Sequence, residues 1–201
     1  MRAPSPSILP ILVLASVVAH GSPHAATVSG SVYAPNVPME GAVVYIVPEA
    51  NQTYAPPTES PVIDQVNLRF VPHVRVVLPG TTVEFRNSDP ILHNVFNPGN
   101  TGEGFNLGTY PRPDSRTRTF NVLGAHMILC HVHPEMAAYV VVVPTPYHSI
   151  VDATGRFRID NVPPGRHTLH VWHRRTKPFE RTVVVPDGSH LDLELELSRR
   201  R

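Results

Sequence analysis

The chain has 201 residues and a mass of 22.1 kDa, which suffices for one domain or two small ones. It carries 17 Lys plus Arg and 16 Asp plus Glu, and the formal net charge of +1 provides no overall field for gathering nucleic acid or a membrane surface. We therefore expect no nucleic-acid partner. The 23 prolines, about twice the average share, exclude a mainly helical fold.

The first 26 residues have the pattern of an export signal. Arg2 supplies a positive charge, residues 8–19 are mostly apolar, and small residues then offer cleavage after Gly21 or after Ala26. The apolar run is shorter than the roughly 20 residues that span a bilayer, and no later run approaches that length. We therefore expect an exported, periplasmic protein without a membrane span in the mature chain. The alternative is an uncleaved anchor or a buried helix.

Strand patterns follow one another along the remaining chain, and turn residues separate them. This spacing predicts an all-β fold of β-sandwiches. Residues 139–143 are continuously apolar, so we expect both faces of that strand to be buried. The predicted strands cover residues 28–33, 42–47, 70–78, 81–86, 120–122, 126–130, 139–143, 156–159, 168–173, 182–185 and 191–197.

The two ends of the chain resemble parts of one domain. Val28-Ser-Gly-Ser-Val32 and Gly41-Ala-Val-Val-Tyr45 resemble the opening strands of carboxypeptidase regulatory-like (transthyretin-like) domains, and residues 152–165 resemble their continuation. The resemblance implies a transthyretin-like sandwich formed by residues 27–56 and 148–201. Residues 57–147 would then be a second sandwich, inserted at a loop. The alternative is two sandwiches in series, with the N-terminal hairpin in the sheet of the second.

The strongest candidate site is the segment Cys130-His-Val-His133-Pro-Glu-Met136, with His93 upstream. A thiolate and two imidazoles with a weak thioether suit an ion that changes between Cu(I) and Cu(II). The lone cysteine has no disulfide partner in its own chain, although an exported protein meets oxidising conditions. It is therefore a metal thiolate, a buried inert thiol or a partner for another chain.

Residues 63–144 resemble the cupredoxins, among them plastocyanin, pseudoazurin and amicyanin. The Cys-x-x-His-x-x-Met loop of that family matches Cys130, His133 and Met136, and its upstream histidine matches His93. The resemblance implies a Greek-key β-sandwich with one type 1 copper ion on these four residues. It also implies that Asn94 steadies the cysteine loop from outside the ligand set. The whole chain is similar to exported plastocyanin-like proteins labelled methylamine utilisation proteins.

Three features of this region depart from a simple cupredoxin. His131 stands where plastocyanin and pseudoazurin have a small hydroxyl residue, and strand alternation points it away from Cys130, so we do not expect it to bind metal. Glu135 would favour harder ions and is not expected to bind either. For Met136 the alternative is plain core packing. The face opposite Cys130 is apolar, and we expect the transthyretin-like sandwich to cover part of it (Ala125, Met127, Leu129).

We interpret the chain as an exported one-electron carrier and expect it to have no enzymatic activity. The cupredoxin resemblance implies that redox proteins dock at an apolar surface near His133, formed with Pro134, Ala137 and Ala138. One alternative is a protein that stores or delivers copper without redox turnover, and another is an adhesion-type sandwich without metal. A second metal site on the strand that carries three histidines is possible, but we expect these side chains to be solvated (His167, His170, His173).

Overall fold

The computed structural model describes residues 24–50 and 52–200, so most of the predicted signal segment 1–26 lies outside the described residues. Sixteen strands and no helix are found in this part of the chain, and the all-β prediction is confirmed. It accordingly holds no helix long and apolar enough to cross a membrane. The strands are β1 Ala26–Tyr33, β2 Val43–Pro48, β3 Val62–Gln65, β4 Phe70–Val71, β5 Val74–Val77, β6 Thr81–Asn87, β7 His93–Asn97, β8 Phe105–Tyr110, β9 Ser115–Phe120, β10 Gly124–Leu129, β11 Ala137–Val142, β12 His148–Ile150, β13 Arg156–Val162, β14 Gly165–Trp172, β15 Phe179–Val185 and β16 His190–Glu196.

The first two strands and the last five form one sandwich, here called the terminal sandwich. Its three-stranded sheet has the order β13-β1-β16, and its four-stranded sheet has the order β12-β2-β14-β15. Alternating apolar side chains of both sheets meet in a common core that includes Val28, Ile46, Leu169 and Leu195, all 0% exposed. The first and last described strands therefore share one core. The domain bounds 27–56, 57–147 and 148–201 stay a prediction.

The start of β1 is integrated into this sandwich. Ala26 is buried and pairs with Val162, and the His24 N–H donates to Asp187 Oδ1 at 2.7 Å. Cleavage after Gly21 would preserve both contacts, whereas cleavage after Ala26 would remove them.

Strands β3 to β11 form a second sandwich, here called the central sandwich. Its sheets have the orders β5-β11-β10-β7-β8 and β4-β3-β6-β9 around a core that includes Ile63, Phe85, Val95 and Ile128. The single strand predicted over 70–78 is in fact two strands, β4 and β5, in different sheets. Pro72 between them has no N–H to continue a ladder, and the chain crosses from one sheet to the other at this point.

Strand β11 faces two cores. Ala138, Val140 and Val142 point into the central sandwich, while Val141 lies in a small cluster with Val143 and with Val43 of β2. The prediction that both faces of this strand are buried is thereby confirmed.

The small cluster is the contact between the two sandwiches. Trp172 of β14 packs against it, with its ring 5.1 Å from that of Tyr139. Ala125 packs against the same cluster, as expected for the apolar face opposite Cys130, and Met127 and Leu129 on that face are half-buried.

Candidate metal centre

The candidate ligands meet at one end of the central sandwich, where β10 ends and β7 begins. Leu129, the last residue of β10, pairs with Phe96 of the antiparallel strand β7. This register brings Cys130 beside the start of β7, and the Asn94 N–H lies 3.4 Å from Cys130 Sγ as its donor. The loop to β11 then turns back, with the Met136 N–H donating to the His133 carbonyl at 3.0 Å.

His93, Cys130 and His133 form one compact cluster. Their ligand atoms all lie within 4.8 Å of one another, and in the described part of the chain this is the one such group of three that could hold a metal ion. The two Nδ1 atoms of the imidazoles are 3.1 Å apart, with the rings inclined at 69°. Two histidines 40 residues apart therefore direct the same ring atom to one point.

Burial distinguishes the members of the cluster. His93 is 0% exposed and Cys130 is 3% exposed, whereas His133 is half-buried and reaches the surface. Met136 is buried in the same apolar core as Cys130. The donor set of one thiol, two imidazoles and a nearby thioether fits copper, because soft sulfur favours Cu(I) and imidazole suits both oxidation states.

Asp89 is a part of the site that sequence reasoning missed. Its Oδ2 accepts a hydrogen bond from His93 Nε2 at 2.8 Å, and its two oxygens accept the N–H groups of Asn67 and Leu68 at 2.6 and 3.0 Å. Burial raises the pKa of Asp89, but the hydrogen bonds from Leu68, His93 and Asn67 outweigh it and hold the pKa below its usual value.

The carboxylate fixes the tautomer of His93. Because Nε2 carries the proton shared with Asp89, the neutral ring has a free lone pair on Nδ1, the atom that faces His133. Without metal, the Nδ1–H of His133 can donate to that lone pair. A cation bound there would take the Nδ1 lone pairs of both rings, and His133 would then carry its proton on Nε2. The sequence signal that could have found Asp89 is its position, because it is a carboxylate four residues before a candidate ligand histidine.

Asn94 connects the cysteine loop to two strands. Its Oδ1 accepts the His131 N–H at 3.3 Å, and its Nδ2 donates to Asn106 Oδ1 at 2.8 Å and to the Gly108 carbonyl at 3.0 Å. Asn106 and Gly108 lie on β8. The side chain is thus in contact with the loop that it was expected to steady.

The two residues expected not to bind lie outside the cluster. His131 is exposed, and its ring stacks flat on Phe96, with centroids 3.6 Å apart and planes 5° apart. Glu135 is exposed as well.

The surface near His133 differs in one residue from the expectation. Pro134 is exposed and Ala137 is half-buried, but Ala138 is 0% exposed. Strand β11 has begun at that point, so alternation turns Ala138 toward the core. Large apolar side chains are nevertheless exposed on the loops near the ligands, namely Leu68, Ile91, Leu92 and Val132.

The histidines of β14 and the residue after it are not solvated as expected. His167 and His173 are buried at 4% and 5% exposure, and His170 stacks on Tyr45 with ring centroids 4.8 Å apart. His167 Nε2 donates to the Pro163 carbonyl. Within the residues that the structure describes, these three form no second metal-binding group.

Comparison with known proteins finds one family model and several solved structures that are similar to parts of this chain. The carboxypeptidase regulatory-like domain family matches residues 134–198, and no curated protein matches the chain. The match includes β11, which the structure places in the central sandwich.

Among solved structures, an oxidised amicyanin variant has 26% identity and a TM-score of 0.40, over 42% of this chain and 82% of that one. A reduced amicyanin variant has 23% identity and a TM-score of 0.41, over 50% and 98%. A Cu-containing nitrite reductase from Thermus scotoductus has 25% identity and a TM-score of 0.42. That match covers 49% of this chain and 25% of the reductase.

Proposed function

We propose that this chain is a copper protein that carries single electrons between redox partners. The observation that carries the proposal is the convergence of His93, Cys130 and His133, whose ligand atoms lie within 4.8 Å of one another. Copper bound there would be held by these three residues, with Met136 as a weak fourth ligand. It would supply a one-electron couple between Cu(I) and Cu(II).

The surrounding residues would keep this ligand set in place. Asp89 holds the proton of His93 on Nε2, so Nδ1 stays available. Asn94 ties the backbone after Cys130 to strand β8. Burial of His93, Cys130 and Met136 excludes water from most of the site. A rigid, dry ligand set changes little when the electron is gained or lost, which is what a carrier requires.

His133 is the proposed exit for electrons. It is the half-buried member of the cluster, and exposed apolar side chains such as Leu92 and Val132 lie on the loops around the site. An apolar surface of this kind suits weak, short-lived docking with a redox protein. We further propose that the protein is exported to the periplasm, in keeping with the signal pattern of residues 1–26.

Optical and EPR spectra of the copper-loaded protein test the proposal. We expect an intense thiolate-to-copper absorption that bleaches on reduction and returns on oxidation, with copper retained throughout. Cys130→Ser should abolish this absorption while far-UV circular dichroism keeps its β signal, because the sulfur is the source of the band. Colour that survives the substitution would contradict the ligand assignment.

The same experiment separates a carrier from a protein that stores or delivers copper. A carrier keeps its copper against a chelator in both oxidation states. Absence of the band, or ready transfer of copper to the chelator, would instead indicate storage or delivery.

A further inference from the structure

Two basic segments that are far apart in the sequence lie side by side at one end of the terminal sandwich. Arg174, Arg175 and Lys177 follow β14, and Arg199 and Arg200 follow β16. We call these five residues the basic surface.

Backbone hydrogen bonds fix the two segments together. The Lys177 N–H donates to the Ser198 carbonyl at 2.9 Å, and the Arg200 N–H donates to the Arg175 carbonyl at 2.8 Å. Thr176 also forms a β-bridge with Arg199 and is buried at 1% exposure. The C-terminal arginines are therefore held in the fold by their backbone.

The charges of this surface have no partner among the ion pairs of the described residues. All five side chains are exposed, and none of them belongs to any salt bridge found there. Since the whole chain has a net charge of only +1, this end of the molecule concentrates positive charge that is balanced elsewhere. Such a local field attracts an oppositely charged surface over about a Debye length.

The basic surface borders a cavity of about 610 Å³ between the two sandwiches. Arg174, Arg175 and His73 of the central sandwich are among the residues that line it. His73 Nδ1 donates to the carbonyl of Ala137 at 2.9 Å, and Ala137 directly follows Met136. His73 thus connects the cavity to the end of the loop with the candidate metal ligands.

Two acidic residues, Glu40 and Asp152, also line the cavity. Asp152 Oδ1 accepts hydrogen bonds from the N–H and hydroxyl of Thr154 and from the N–H of Arg156, so it stabilises its own turn. The other three residues of the basic surface do not line the cavity (Lys177, Arg199, Arg200). These three residues therefore add positive charge outside the cavity.

We propose that the basic surface docks an acidic face of a protein partner, with an acidic side chain of that partner entering the cavity beside Arg174 and Arg175. A protein fits better than an anionic membrane, because the two arginines line a concave cavity and a bilayer is flat. That this partner also exchanges electrons through His133 rests on the proposed function. The docking itself does not, because it involves no metal ligand.

Binding can be measured on the metal-free, ¹⁵N-labelled protein with a short polyglutamate peptide as the probe. We expect amide shift changes in residues 173–177 and 198–200 and at His73, and an affinity that falls as salt is added. Arg175→Glu should weaken binding about fivefold at low salt, since it replaces an attraction by a repulsion at an exposed position. Shift changes elsewhere, or no binding, would overturn the proposal.

Arg166→Glu is the matched control. Arg166 is exposed on the same strand, β14, at the end away from Trp172, and its substitution changes the net charge by the same amount. It should change the affinity by less than about twofold, and a polyglutamine peptide should not bind. An equal loss in both variants would mean that only net charge matters and would refute a specific surface.

Vesicles of phosphatidylglycerol test the membrane as the other anionic partner. Binding to the vesicles that Arg175→Glu abolishes, in the absence of peptide binding, would overturn the protein partner in favour of a membrane. Because the copper absorption is measured separately, failure of the docking experiment leaves the proposed function intact, and the reverse also holds.

Discussion

At the scale of single residues, the carboxylate of Asp89 joins a surface turn to a buried histidine. Its oxygens accept the N–H groups of Asn67 and Leu68, whose backbones have positive φ values of 53° and 58°, and the ring of His93. A carboxylate on the far nitrogen of a metal-binding imidazole orients the ring and raises its basicity. Asp89 therefore acts on the site through His93.

Asp89→Asn should weaken Cu(II) binding about 10- to 100-fold, because the imidazole loses its charged partner. The reduction potential should rise, since the more basic imidazole favours the more highly charged ion. Competitive copper titration and spectroelectrochemistry measure these two effects.

Asp64→Asn provides the comparison for that variant. Asp64 is half-buried on β3 and accepts a hydrogen bond from the Ser88 hydroxyl at 2.7 Å. The Asp64→Asn substitution should leave the reduction potential unchanged. Equal shifts in both variants would mean that Asp89 acts only through the net charge.

At the scale of elements, strand β7 carries two buried asparagines with different tasks. Asn94 binds the backbone of the cysteine loop, whereas Asn97 Nδ2 donates to the Met127 carbonyl of β10 at 2.7 Å. Both side chains cross-link strands within the five-stranded sheet, but only Asn94 contacts the residue after Cys130.

Asn94→Ala and Asn97→Ala should each destabilise the fold by about 1–3 kcal/mol, because buried hydrogen-bond partners are left unsatisfied. Urea unfolding measures this cost. Only Asn94→Ala should also change the optical and EPR spectra of the copper-loaded protein, since it releases the cysteine loop. Identical spectra for both variants would contradict the role of Asn94.

The sequence was sufficient to predict the strands and the candidate ligand loop of this region, but not the part that Asp89 plays. Period-two alternation and turn residues were sufficient to predict strands such as β6 and β16, because a half-buried strand imposes that pattern. The spacing of Cys130, His133 and Met136 was sufficient to predict that one loop carries several of the candidate ligands. Asp89 was missed because its spacing to His93 was the one local signal, and its hydrogen bonds to the distant turn at Asn67 leave no pattern in the sequence.

At the scale of the whole molecule, a small apolar contact couples the two sandwiches. Val43 of the terminal sandwich and Val143 after β11 are 0% and 1% exposed within it. Removing methyl groups there affects the contact between the sandwiches more than either main core, because both residues lie outside those cores.

Val43→Ala combined with Val143→Ala should cost about 2–4 kcal/mol, from lost burial and the cavity left behind. We expect calorimetry of the metal-free proteins to give one unfolding transition for the unaltered protein and two for the double variant. Val184→Ala is the control, because Val184 is 66% exposed and its loss should have little effect. A single transition in the double variant would contradict coupling through this contact.

The pH dependence of stability follows from three histidines. Burial lowers the pKa of His148, of His170 and of His173 below the usual 6.5, with Arg174 and Arg175 adding to the effect at His173 and Glu180 opposing it at His170. The unfolded chain therefore binds more protons than the folded one once the pH falls below 6.5. The stability that these groups contribute is present above that pH and is lost as the pH falls through the lower folded-state values.

The urea midpoint of the metal-free protein should accordingly be lower at about pH 5.5 than at about pH 7.5. In His173→Gln this decrease should be smaller, because one of the three groups no longer titrates. A midpoint that is equal or higher at the lower pH would refute the argument.

The position of strand β11 between two cores affects experiments on fragments of the molecule. It supplies side chains to the central core and to the contact with the terminal sandwich, so a fragment cut to the central sandwich alone would present Val141, Val143 and Tyr139 to solvent. Exposed apolar stripes of this kind promote self-association. Such a fragment would need polar replacements on that stripe before its spectroscopy could stand for that of the intact protein.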